Sequence, residues 1–551
     1  MSVEEAVVAV CGWVDCIYGV SSSPEQRVSA HQSLEQFKDS HPDLAVIGFR
    51  IASDLSKSIP LRHCGLQMVE HTIKYRWSEL SPENRAAIKQ SWLDFVQKGL
   101  RSIEIEESHV KEALARCLVE MSKQEWPQNW PEMIDELVAC ISLGHCQAQV
   151  VFLIILRLVE DTIVFQTVEP PSRRRELHNA LVMSLKLLLT VSLDTLAKRS
   201  PLCPSDSALA KSVLEFLSEL MDWVPAKEIE PSLNQLLTLL AALLQSQNSV
   251  LRQEAARCLW QLASRKRTKP EELRPVLAMF SQECMTSILT AARQAADLSY
   301  SPEQYSFLKN LCSLLTALGQ HLSVLWVSDS DNMQSTLRSF PLYLDAIFAF
   351  FLHPSLNLKN EAAQVIGSFV SHKLIGKSEL LRAILPKIVK AIPILIERVG
   401  LPSGPPCRSL PYSLMDYDSD ALFLFEYTQF RERALRIVRD SVAVDWSLSY
   451  QVCVEWLQKK AVIPIEALES EVEWDAMNRY LRAVMEVVSV LPVFRENNLS
   501  EQLVLRLDKL LERLGECNNW PLVDRMLSTM SSLFVCLPVY PDRIPNVLAQ
   551  V

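Results

Sequence analysis

Glycine is scarce in this chain, at 12 of 551 residues, about a third of the ~7% share of average proteins. Tight hairpins, phosphate loops and nucleotide turns depend on glycine. Its shortage argues against sheet-rich folds and the usual nucleotide-binding enzymes. No G-x-G-x-x-G or G-x-S-x-G occurs. Gly376-Lys377-Ser378 resembles the end of a phosphate loop, but Ser371 stands where the first glycine belongs, and the segment reads as a helix-to-helix turn. No HExxH and no CxxC is present. The 14 cysteines are scattered over apolar helical faces, as at Cys117, Cys258 and Cys312, and read as reduced, buried thiols of an intracellular protein. Cys140, His145 and Cys146 come nearest to a metal set, and three such residues fall together easily by chance. Paired carboxylates such as Glu106-Glu107 read as solvated helix ends. With no catalytic constellation in view, the chain is expected to be no enzyme and to hold no metal or cofactor of its own.

Positive charge is also in short supply. The formal net charge is −10, whereas a general nucleic-acid coat is basic, so any RNA contact needs a local basic surface. Long apolar runs are missing as well. Val150 to Leu156 is broken by Arg157 and Glu160, well short of the ~20 residues a membrane helix needs. The start, Met1 to Trp13, carries Glu4 and Glu5 and lacks the basic region of a signal peptide.

What is present is one helical template repeated four times. Leu61, Gly65, Met68, Val69 and Ile73 form an apolar stripe; so do Val110, Leu114, Cys117, Leu118 and Met121. Leu251, Ala255, Cys258, Leu259 and Leu262 repeat it, as do Leu358, Ala362, Val365, Ile366 and Phe369. A basic residue follows each anchor: Arg62, Lys111, Arg252 and Lys359. A capping residue type precedes each: Ser58, Ser108, Asn248 or Ser249, and Asn357. The small residue at the fourth position lets a neighbouring helix approach, and the basic side chain can meet a carboxylate from the next unit. Leu44, Ile47, Ile51 and Leu55 mark a preceding helix. Stripes 49 residues apart (Leu61 to Val110) and 107 apart (Leu251 to Leu358) fit long HEAT units. The expected fold is all-α, a right-handed α-solenoid, or superhelix, of roughly ten HEAT-type helical hairpins. Residues 198–207, 264–270 and 401–420 read as irregular excursions. The chain closes without an obvious polar cap, so the array is expected to be truncated.

Two features stand apart. Glu125 to Met133 places Trp126-Pro127 and Trp130-Pro131 four residues apart after a helix, where each proline ends or starts a helix and each indole wedges between layers. Arg173, Arg174 and Arg175 follow a proline pair at a helix start.

The Trp-Pro element after such a helix resembles the importin-β superfamily of nuclear transport receptors, and its exportins in particular. Gly65 to Trp77, Leu156 to Leu177, Met415 to Asp420 and Glu455 to Gln458 carry the same resemblance, which runs at intervals from about residue 30 to 460. It implies a receptor that shuttles between nucleus and cytoplasm and binds the GTP form of Ran together with structured, double-stranded RNA such as precursor-microRNA or tRNA-like hairpins. GTP then belongs to Ran, not to this chain. Pore nucleoporins are further implied partners, with no membrane and a monomeric state. The resemblance also divides the chain. Residues 1–165 correspond to importin-β-type Ran-binding repeats and 166–400 to central repeats; 401–420 is an irregular loop and 421–551 holds further repeats. On the helices starting at Leu61 and Val110, the polar candidates for Ran are Lys74, Arg76, Glu112, Arg116 and Lys123. Basic candidates for RNA are Arg173, Arg174, Arg175, Arg265, Lys266, Arg267 and Lys269. The competing expectations are a HEAT scaffold of another kind and a truncated receptor that binds Ran without exporting cargo.

Overall fold

Each recurring stripe begins just after a residue in extended backbone that starts a helix. Asn248 accepts from the backbone N–H groups of Val250 and Leu251, and Ser355 accepts from that of Leu358. Two caps differ from expectation. Ser355, not Asn357, caps the last stripe, because a serine three residues before Leu358 reaches its N–H while Asn357 already lies in the first turn. Glu107, not Ser108, stands before the second, with no side-chain bond to the helix.

The computed structural model describes residues 2–199, 203–265, 270–297, 300–326, 332–462, 471–492, 494, 499–514, 517, 519–545 and 547. The chain divides into two compact units, Met1–Pro275 and Val276–Val551. Both are built of helices, with no strand among the described residues, and the fold is the α-solenoid of HEAT-type hairpins that the stripes imply.

In the first unit α1 (Val3–Tyr18), α2 (Pro24–Ser40), α3 (Leu44–Ser53), α4 (Ile59–Arg76), α5 (Pro82–Lys98) and α6 (Ser108–Glu125) come first. They are followed by α7 (Met133–Ile141), α8 (His145–Val159), α9 (Pro171–Ala197), α10 (Pro204–Trp223), α11 (Ala226–Ile229), α12 (Leu233–Leu244) and α13 (Ser249–Ser264). α4, α6, α8, α10 and α13 pack successively side by side in one layer; α3, α7, α9 and α12 back them from the other. The stripe residues are buried, each large one contributing roughly 1.5–3 kcal/mol. Leu55, expected on the helix before the first stripe, lies beyond its end and is exposed. α9 and the segment Trp520–Val539 are long and apolar enough to cross a membrane. In α9 every leucine except the exposed Leu187 is buried, with α10 and α12 packed against it.

The small residue of the first stripe acts as anticipated. A Cβ on Gly65 would lie 2.5 Å from the Gly48 carbonyl oxygen and 3.1 Å from the Ala52 nitrogen, so α3 and α4 touch backbone to backbone. Gly65→Val will force them apart and destabilise the first unit by about 1–3 kcal/mol in urea unfolding.

The basic residues after the anchors take different partners. Arg62 is fully buried and donates to Glu106 Oε1 at 2.7 Å, the Gly99 carbonyl at 2.7 Å and the Ala52 carbonyl at 2.9 Å. Glu106, expected to be solvated, is buried and also accepts from the Arg101 backbone N–H at 2.8 Å. This is the carboxylate from the next unit, and it closes the repeat. Glu107 remains exposed. Lys111 donates instead to the Gln149 amide oxygen at 2.9 Å.

The division between the units falls within α14 (Arg274–Met279). The second unit continues with α15 (Gln282–Asp297), α16 (Pro302–Leu325), α17 (Asn332–Phe351), α18 (Leu356–Ser371), α19 (Glu379–Leu395) and α20 (Leu410–Asp416). Then come α21 (Asp420–Val462), α22 (Glu471–Val488), α23 (Leu499–Leu514) and α24 (Trp520–Leu533). α16, α18, the first part of α21, α22 and α24 form the row equivalent to α4–α13. α21 is two helices joined at Asp445, whose backbone is non-helical (φ −156, ψ 99) and whose carboxylate caps Ser447. The segment 401–420 contains α20, which Pro411 can open because its ring fits a first helical turn. Asp416 pins it by accepting from Tyr305 and, at 3.1 Å, from Lys309.

Lys359 meets no carboxylate among the described residues. It is buried with its ammonium 5.6 Å from the Phe430 ring centroid, and burial lowers its pKa to about 8. The folded chain therefore carries a desolvation cost below pH 8 that is relieved as pH rises from 8 toward the ordinary lysine value, where the unfolded chain also loses its proton. Lys359→Met will stabilise the second unit at pH 7 by about 1–3 kcal/mol. Unfolding measured from pH 7 to 10.5 will show that advantage shrinking.

Candidate charged groove on α4, α6 and α8

The apolar stripe of α6 faces the core, so His109, Glu112, Arg116, Glu120 and Lys123 share its opposite side at helical spacing. Together with Glu70 and Lys74 of α4, Arg157 of α8, and Glu160 and Asp161 of the π-helical turn Glu160–Val164, they line a groove of ≈ 1210 Å³. The start of α9 supplies its far wall through Arg173 and Glu176. Seven carboxylates face five lysine or arginine side chains in it.

These charges form a ladder across the three helices. Lys74 lies 3.3 Å from Glu70 and 3.9 Å from Glu120; Lys123 lies 2.9 Å from Glu120 and 2.6 Å from Asp161. Burial alone would lower the Lys123 pKa, but its hydrogen bonds to Asp161 and Glu120 outweigh that and raise it. Arg157 grips both oxygens of Glu112, at 2.7 and 3.2 Å, and reaches Glu160 at 2.6 Å. The hydrogen bonds to Glu112, then to Glu160, raise its pKa despite burial. The rungs hold rotamers in place and leave the excess carboxylate charge facing the groove.

Four of the five candidates for Ran line this groove: Lys74, Glu112, Arg116 and Lys123. Arg76 does not, since it donates to the His41 carbonyl at 2.7 Å. Glu70, Glu120, Arg157, Glu160 and Asp161 were not among the sequence candidates for this site, although Arg157 and Glu160 stand out as the charges that break the apolar run of α8. The spacing from His109 to Lys123 would have found Glu120, while the others come from different helices.

The Trp-Pro element is the connection between α6 and α7. Trp126 and Trp130 are buried, and Lys89 stands 5.1 Å from the Trp130 ring centroid. Glu125 accepts from Trp77 at 2.8 Å and Lys89 at 3.1 Å. Burial opposes its charge, but these bonds and the nearby Arg85 hold its pKa below the ordinary value. Pro127 is half-buried and Pro131 exposed.

The basic triplet divides in role. Arg173 donates to the Lys123 carbonyl at 2.8 Å, the Ser122 carbonyl at 3.3 Å, the Trp126 carbonyl, Gln128 and Glu176. Its guanidinium ties the Trp-Pro turn to α9 and is therefore committed inside the chain. Arg174 donates to the Gln166 carbonyl at 2.9 Å, and Arg175 is exposed. Arg265 donates to the Val224 carbonyl. Lys266, Arg267 and Lys269 lie outside the described residues. His145 of the apparent metal set pairs with Asp206 at 2.8 Å, and Ser378 of the apparent phosphate loop caps α19. Among the described residues no group of three or more potential metal ligands occurs.

Three family models match this chain: Importin-beta N-terminal domain over residues 30–98, Exportin 1-like protein over 107–259, and Exportin-5 family over 302–551. Exportin-5 of Homo sapiens is 30% identical over 591 residues, covering 100% of this chain and 47% of its own length. Exportin-5 of Mus musculus is 30% identical over 586 residues with the same coverage, and that of Dictyostelium discoideum is 22% identical over 77% of this chain and 37% of its own length. The chain thus spans about half the length of the curated relatives it matches. Among solved structures, yeast importin-β (Kap95p) aligns with a TM-score of 0.41 and 13% identity over 100% of this chain and 74% of its own.

Proposed function

This chain belongs to the exportin-5 family of nuclear transport receptors, and we propose that it acts in nuclear export, taking up Ran in its GTP form through the α4–α6–α8 groove. The observation that carries this reading is the groove itself. Three successive helices of one layer present ordered, paired charges with carboxylates in excess. An excess of fixed carboxylates repels RNA phosphates and favours a protein face bearing lysines and arginines. Paired side chains also enter the complex with part of their conformational entropy already lost, which lowers the cost of binding.

Double-stranded RNA, such as a precursor-microRNA hairpin, is the proposed cargo. It is held by shape and phosphate contacts, because the A-form major groove is too narrow for side chains to read. Ran and RNA are coupled by ~1–3 kcal/mol, each strengthening the other. Nucleoporins complete the proposed partners, shuttling follows from the role, and the nucleotide stays on Ran. One observation favours a second reading, a receptor half that binds Ran but holds cargo weakly. Arg173, Arg174 and Arg265, three of the basic candidates for RNA, donate to backbone carbonyls, leaving Arg175 in the triplet.

Hydrogen exchange on adding GTP-loaded Ran tests the placement. Protection concentrated in residues 70–76, 109–124 and 157–161 supports the groove. Protection elsewhere with none there removes it.

A further inference from the structure

A second cleft, in the other unit, is built on the opposite electrostatic plan. Arg398, Arg431, Arg479 and Arg525 converge from four separate elements on a cleft of ≈ 310 Å³. Among the described residues, Glu471 and Asp475 are the carboxylates that oppose them there. Asp475 is shared: it accepts from Arg431 at 2.5 Å and lies 3.7 Å from Arg479 and 3.8 Å from Arg525. Arg398 is exposed and has no ion-pair partner among the described residues.

The innermost arginine is left incomplete. Arg431 is 6% exposed. One of its terminal nitrogens serves Asp475 and, at 3.2 Å, the Ile396 carbonyl. Its plane lies 4.8 Å from the Tyr427 ring centroid, which braces it. Yet its Nε–H is buried with no hydrogen-bond partner. An unmet donor on a buried cation is costly, and the guanidinium that carries it belongs to a side chain lining the cleft. The lining carries an excess of two positive charges, and a phosphomonoester brings about −1.5 to −2 at pH 7.

The rim says what the anion is attached to. Leu424 lines the cleft and is 36% exposed. Val472 of α22 lines it as well. Apolar side chains at the mouth of an arginine pocket match a peptide with apolar neighbours, not the phosphate track of a duplex, which calls for a long basic groove. We propose that this cleft binds a phosphorylated serine or threonine in a protein segment with apolar flanking residues. The arginines grip the phosphate through charge-assisted forks, and Leu424 and Val472 receive the flanking side chains.

The test uses the full chain and a fluorescent peptide with phosphoserine between leucines, its unphosphorylated twin, and a duplex RNA of about 20 base pairs. The phosphopeptide is expected to bind at least about 10-fold more tightly than its twin. That preference is expected to weaken below about pH 6, where the phosphate gains a proton. Arg398→Gln, at an exposed side chain, and Arg525→Gln, at a half-buried one, should each weaken phosphopeptide binding about 10- to 100-fold with far-UV circular dichroism unchanged. Equal binding of the two peptides would overturn the proposal. So would phosphopeptide binding indifferent to both substitutions. Duplex RNA bound through these arginines while the phosphopeptide is not would assign the cleft to RNA instead.

Discussion

Arg62→Met will destabilise the first unit by about 3–5 kcal/mol, the range for breaking one side of a buried ion pair. The substitution removes every donor that Arg62 supplies to Glu106, Gly99 and Ala52. Glu106 is then left buried with one backbone N–H for support, and a buried carboxylate without its cation is the expensive state. Glu106→Gln will cost less, because a neutral amide oxygen can still accept from Arg62. Urea titration read by fluorescence in the full chain should show an early transition in Arg62→Met that Glu106→Gln largely avoids. Equal midpoints for wild type and Arg62→Met would mean that the pair does not hold the repeat closed.

Reversing the groove's surplus charge will weaken Ran binding by about 10- to 100-fold in Glu120→Lys/Glu169→Lys. Glu120 sits between Lys74 and Lys123, so the variant gathers three ammonium groups at one point on the groove wall. Glu169 is exposed on the rim. The loss should appear mainly in the association rate and should shrink as salt rises, since the pairs are partly open to solvent. Surface plasmon resonance at two salt concentrations separates this from a folding defect. Unchanged association would remove the electrostatic basis of the groove.

Much of the architecture is legible in the residues. The four stripes locate α4, α6, α13 and α18 because apolar periodicity reports the buried face directly. Gly65 announces a close helix approach because nothing larger fits beside Gly48. Partnerships are less legible. Arg62 was expected to meet a carboxylate, but Glu106, 44 positions away, reads locally as a solvated helix end, and only tertiary packing buries it. Lys359 repeats the pattern of Arg62 yet faces Phe430. Arg173 looks like a free basic face, and the turn that uses its donors returns from 45–51 residues earlier. The link from Asp416 to Tyr305 and Lys309 spans more than a hundred residues. Local pattern thus specifies which face is buried, while the identity of each polar partner depends on chain return.

The groove on α4, α6 and α8 was partly visible for the same reason. Candidates chosen as polar positions on the right helices converge where those helices are neighbours, as Lys74, Glu112, Arg116 and Lys123 do. Arg76, only two residues from Lys74, turns to the His41 carbonyl instead. A two-residue step rotates a helical side chain by about 200°, so the two leave the helix in nearly opposite directions.

The most direct test is the affinity of this chain for Ran loaded with a non-hydrolysable GTP analogue against GDP-loaded Ran, with and without a hairpin RNA bearing a short 3′ overhang. The predicted result is selective binding of the GTP form, strengthened by the hairpin about 5- to 150-fold if cargo coupling resides in this chain. Selective binding without strengthening would support the receptor half that holds Ran alone. Equal binding of the two nucleotide forms, or none of either, would contradict the central claim that the α4–α6–α8 groove is a working Ran-binding face.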